Sequence, residues 1–235
     1  MQTKLLITTL TTLALFILLL PAAQADEVQL TLISVGNNSS CFGDYCDPYQ
    51  LSVQPLNSSG NPVGNSAALW LNCDDYTDTI YVGNTWEAAV IAGSQDLSGT
   101  WMAKKNSWDA TQAAIAYDEK AWIETYSSPA NNPAYTAAIW AIFDPSNTGL
   151  ANSAGTLLTD AQNYVLGNSA KGILGDGAND YSTWRKRLTI YSPVQAPWAT
   201  TSTPQEFNTV PDGGLTIMLM GGVLVGLGTL RRFIA

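Results

Sequence analysis

DATQAAIAYDEKAWIETY, residues 109–126, is the stretch that decides the fold. Its apolar residues at 113, 114, 117, 121, 122 and 126 have the spacing of one helix face. Asp109 stands where an N-cap belongs. The chain before it has a different period. Residues 26–35 (DEVQLTLISV) and 49–56 (YQLSVQPL) alternate like strands. Residues 66–73 (SAALWLNC) read as a buried strand, and Thr79 to Trp86 as a further short strand turning at Gly83-Asn84. Gly36 to Pro48 reads as a polar loop, and Asn57 to Pro62 as a turn cluster.

Downstream, Ala134 to Phe143 (AYTAAIWAIF) reads as a short buried helix closed by Asp144-Pro145. Residues 155–166 suggest a third helix, and 185–192 (RKRLTIYS) a last strand. Strands, then helices, then a strand predict an α+β fold: a β-sandwich or barrel with a helical insert. That globular domain is expected over 26–192, with 193–209, rich in Pro, Ser and Thr, as a flexible linker.

Composition narrows the chemistry. The 235-residue chain has no histidine, so the Ser-His-Asp and Cys-His mechanisms are excluded and zinc catalysis is disfavoured. Residues 26–211 hold seven Lys/Arg against eighteen Asp/Glu, a net charge of −11. Such a surface repels phosphate backbones, so no nucleic-acid partner is expected. No cofactor and no metal site is predicted. The acidic groups Asp74, Asp75, Asp78 and Asp176, Asn179, Asp180 are oxygen-rich, but they lack EF-hand spacing and read as solvated turns.

The two ends are not part of the domain. Lys4, the apolar run Leu5 to Leu20, Pro21 and Ala23-Gln24-Ala25 form a secretory signal peptide over 1–25, cleaved before Asp26. At the other end, Val210-Pro211-Asp212-Gly213-Gly214 precedes sixteen apolar, glycine-rich residues, Leu215 to Leu230, and then Arg231-Arg232. A helix of that length spans about 24 Å, slightly short of a hydrocarbon core of roughly 30 Å. The paired arginines stay on the cytoplasmic side by the positive-inside rule, which places the domain on the other side.

This three-part ending over 210–235 resembles a PEP-CTERM sorting signal of a VPDGG type. Asp212 stands where many members have Glu, and Gly213 where many have Pro. The resemblance implies two partners, signal peptidase and an exosortase-type sorting enzyme. It also implies a transient inner-membrane anchor, followed by delivery to the envelope surface or the extracellular matrix. The expected function is that of a non-enzymatic exported protein.

The middle domain weakly resembles the thioester domains of bacterial surface adhesins. Those domains join a Cys near the end of an early strand to the Gln of a Thr-Gln-x-Ala-Ile-Trp motif. Asn72-Cys73-Asp74-Asp75 matches the first element, and Ala138-Ile139-Trp140 the end of the second. Thr136 occupies the position of the Gln, and a hydroxyl cannot supply the carboxamide carbon. A second match, Thr111-Gln112-Ala113-Ala114-Ile115, lacks the Trp. The implied alternative is an adhesin module of thioester-like fold, with extracellular polysaccharide as a candidate ligand. Trp101, Trp108, Trp184 and Trp198 are candidates for stacking on sugars.

Three cysteines in an exported chain suggest one bonded pair. The favoured pairing is Cys41–Cys46, leaving Cys73 free and buried, and the rival pairs Cys73 with either. A histidine-free hydrolase would need two carboxylates, for which Glu87, Glu119 and Glu124 are available without any pairing in their spacing.

Overall fold

The computed structural model describes residues 27–42, 44–127, 133–169, 185–194 and 204–209. The expected signal peptide (1–25), the expected sorting motif Val210–Gly214, the apolar tail with Arg231 and Arg232, Trp184, Trp198 and the Asp176 cluster lie outside them. Among the described residues, no helix is long and apolar enough to cross a membrane.

Six strands form a closed antiparallel barrel: β1 (Glu27–Cys41), β2 (Asp44–Pro55), β3 (Ala67–Cys73), β4 (Thr85–Ala92), β5 (Thr189–Pro193) and β6 (Phe207–Thr209). Their order around it is β1-β2-β3-β6-β5-β4, and β4 closes the ring onto β1. Among the described residues, five helices lie between β4 and β5: α1 (Trp101–Lys105), α2 (Ala110–Tyr126), α3 (Pro133–Phe143), α4 (Thr148–Ser153) and α5 (Thr156–Ser169). The fold is therefore α+β, and the strands make a barrel rather than a sandwich.

Alternation fills the barrel. Leu30, Leu32, Tyr49, Leu51, Leu71, Cys73, Trp86 and Phe207 form one apolar cluster. Tyr49 and Trp86 both meet the Phe207 ring, with centroids 5.7 and 5.9 Å apart. A second cluster holds the helices together, with α3 at its centre and buried from Tyr135 to Phe143. Helix α2 begins as its sequence indicates. The Asp109 carboxylate accepts from the Thr111 and Gln112 amides, and the Gln112 side chain accepts from the Asp109 amide. After β4 the chain must pass close to the segment leading into β5. Gly93 permits this, because a Cβ there would collide with the Arg185 carbonyl.

Several expectations need correction. The segment 36–48 is not simply a loop: β1 and β2 continue through it as a hairpin, with Cys41 opposite Asp44 and Cys46 opposite Asn37. Backbone pairing does not require apolar side chains, so the Asn/Ser/Asp-rich composition misled. The side chains of Cys41 and Cys46 lie outside those described. Strand β3 is exposed at its start and buried only towards Cys73. Strand β4 starts at Thr85, because 79–84 forms the turn leading into it. Helices α1 and α4 are short elements that the sequence pattern does not indicate. Residues 193–209 are not a linker throughout. Pro204 to Asn208 are buried, and Phe207–Thr209 form the strand joining β3 to β5. One aromatic residue filling the barrel outweighs the polar composition around it.

Candidate functional site

Where α2 and α3 meet β3 and β6, the interior is polar. In β3 and β6, Cys73 and Phe207 face the barrel core, so Asn72 and Asn208, one residue away, face outward. The two asparagines are direct cross-strand partners. Both give their amide NH2 to Glu124 of α2: Asn72 Nδ2 lies 2.8 Å from Oε1, and Asn208 Nδ2 lies 3.0 and 3.2 Å from the two oxygens. Asn72 also donates to the Tyr135 hydroxyl of α3 at 2.9 Å.

One turn before Glu124 on the same helix stands Lys120, fully buried. Its Nζ contacts Asn208 Oδ1 and pairs with Asp74, and it lies 3.8 Å from Glu124. The Phe143 ring covers it, 5.7 Å from the ammonium to the centroid. Burial lowers the Lys120 pKa, and the carboxylates of Glu124, Asp47 and Glu206 oppose that shift.

Around this centre, single side chains tie the elements together. Asp47 accepts the Cys73 amide at 2.7 Å, while its own amide donates to Thr136 Oγ1 at 3.3 Å. Burial raises the Asp47 carboxyl from 3.8 to about 7. Trp140 Nε1 donates to the Cys73 carbonyl at 3.1 Å. Glu206 accepts the Tyr117 hydroxyl and the Trp101 amide, the latter at 2.9 Å, so it binds α1 and α2 to the end of β6. Burial raises its pKa as well.

The structure brings the two elements of the thioester resemblance together, since Trp140 bonds the Cys73 carbonyl and Thr136 and Cys73 both bind Asp47, but it places no carboxamide at Thr136. Cys73 is free and buried, as expected. Its thiol hydrogen is directed at the Asp75 carbonyl, 3.3 Å away, and at Gln205 Oε1, 3.4 Å away. Burial and the Asp47 and Asp75 carboxylates push the thiol pKa well up, which keeps it protonated and unreactive. Thr136 is buried nearby and serves Asp47. Gln112 is spent on the cap of α2. Gln205, the carboxamide in contact with Cys73, fell in a segment read as linker.

The acidic cluster is not a set of solvated turns. Asp74 and Asp75 are buried. Asp75 binds Lys105 at 2.9 Å, and Asp78 binds the same ammonium at 2.8 Å. Among the described residues no group of His, Cys, Asp or Glu is arranged to hold a metal ion. The hydrolase candidates do not converge either. Glu124 lies in the polar centre. Glu119 lies beside a groove lined by Trp108, Ile115, Ile142 and Pro145, and burial raises its carboxyl to about 7. Glu87 lies on β4 near Gly60. Trp101 and Trp108 pack against the helical core rather than standing free. The exposed tryptophan among the described residues is Trp70 of β3, at 51%.

No family model, curated protein or solved structure matches this chain. Its own geometry defines a six-stranded barrel with a helical insertion, clamped by a buried Lys-Asn-carboxylate centre.

Proposed function

We propose that the chain is a non-enzymatic protein of the cell surface or extracellular matrix. A signal peptide over 1–25 exports it, and a sorting tail over 210–235 brings it to an exosortase-type enzyme. The supporting observation is the placement of the strands: β1 (Glu27–Cys41) follows the expected cleavage site in the sequence, and β6 (Phe207–Thr209) precedes the expected sorting motif. The described strands therefore lie between the two processing sites. The strands close into a ring, which limits exposed sheet edges and suits a secreted domain that must not aggregate.

In this reading the tail holds the domain at the membrane until the motif is read, and the arginines set its direction. Deleting the sorting enzyme from the host should leave the protein in the inner membrane at the mass of the unprocessed tail. Unchanged mass and destination in that strain would refute the reading.

A further inference from the structure

We propose that Lys120 and Asn208 join in an intramolecular isopeptide bond, with Glu124 as the group that relays the proton. Three observations converge on these atoms. The Lys120 amine is fully buried and in contact with the Asn208 carbonyl oxygen, so nucleophile and acyl group already meet. The nitrogen that must leave, Asn208 Nδ2, is held by both oxygens of Glu124, at 3.0 and 3.2 Å. Lys120 and Glu124 stand one helical turn apart, 3.8 Å from Nζ to Oε1, so one carboxylate serves both ends of the proton's path. Full burial favours the neutral, nucleophilic form of the lysine, and the surrounding carboxylates oppose it.

The step balances without an oxidant or a further reagent. The Nζ lone pair attacks Asn208 Cγ, and a tetrahedral centre forms. Glu124 takes a proton from Nζ and delivers it to Nδ2. The Cγ–Nδ2 bond breaks, ammonia leaves, and a secondary amide remains. Asp74 also touches Lys120, but it is the poorer acyl partner. Its Oδ2 has no hydrogen-bond partner among the described residues, so nothing stands ready to protonate a leaving oxygen.

The place of the bond suggests its use, and this clause rests on the surface reading above. Strand β6 has three residues, paired at two positions with β3 and at three with β5, and it is the strand next to the tail. While the tail still holds the domain at the membrane, tension on the C-terminus would fall on those few hydrogen bonds first. A covalent link from Asn208 to α2 would pass that load to the helical core instead.

The test is peptide mapping of the reduced, alkylated protein purified from its host, whatever the state of its tail. Supporting the proposal would be a branched peptide joining Lys120 to Asn208, one ammonia lighter than its parts and stable to hydroxylamine. Linear peptides with free Lys120 and Asn208 would overturn it. So would a loss of water joining Lys120 to Asp74, or a hydroxylamine-labile link between Cys73 and Gln205. In Glu124→Gln, which keeps the side chain's shape, the branched peptide should fall at least tenfold while the circular dichroism spectrum stays folded. An undiminished branched peptide in that variant would overturn the role of Glu124.

Discussion

Trp140→Ala is expected to destabilise the domain by about 4 kcal/mol, within the range for removing a large buried aromatic. Trp140 is 1% exposed at the centre of α3, and its ring packs against Tyr76 with centroids 5.0 Å apart. The substitution would leave a cavity between two layers that cannot close over it, because both are pinned by hydrogen bonds. It would also remove the donor to the Cys73 carbonyl. Trp140→Phe keeps most of the volume and loses mainly that bond, so it should cost roughly 1 kcal/mol plus a smaller packing term. Urea unfolding followed by circular dichroism measures both. A loss below 1 kcal/mol for the alanine variant would mean that α3 does not hold the barrel and helices together.

The second large effect is on pH dependence. Burial raises Asp47 from 3.8 to about 7, Glu119 from 4.5 to about 7, and Asp75 from 3.8 to about 6. Each raised carboxyl binds its proton more tightly folded than unfolded. Its contribution is therefore complete below the unfolded value and is lost as pH rises through the folded one. Asp78 is shifted the other way, but its contribution is lost only as pH falls below the ordinary carboxylate range. Stability should therefore fall between pH 5 and pH 8, by about 2 to 3 kcal/mol each for Asp47 and Glu119. Asp47→Asn retains an acceptor for the Cys73 amide and should flatten the profile by about one proton's worth. Unfolding midpoints that stay level or rise from pH 5 to pH 8 would contradict this account.

The helical insert was readable because Ala113, Tyr117 and Ala121 repeat with the helix period and the Asp109 cap marks the start. The core of α3 is readable differently, as a short apolar run closed by Asp144-Pro145. What was hidden is polar. Lys120 looks like a solvated helix residue, and nothing local says that Asn208 and Asp74, both distant in sequence, will enclose it. Glu124 was noticed as a carboxylate, yet its partners Asn72 and Asn208 become neighbours only when β3 pairs with β6. Strand β6 itself was masked by its flanks, since Pro204-Gln205-Glu206 reads as linker until Phe207 is seen to fill the barrel. The hairpin over 36–48 failed differently: polar residues form ladder hydrogen bonds as well as apolar ones do.

The central claim of the proposed function is that one folded unit, carrying strands β1 to β6, is freed between two processing sites. The direct measurement is the mass and terminal sequence of the chain recovered from the cell surface or medium. The account predicts a polypeptide beginning at Asp26 and ending within Val210–Gly214. A surface form still carrying Leu215 to Ala235, or one cut before Thr209, would contradict it.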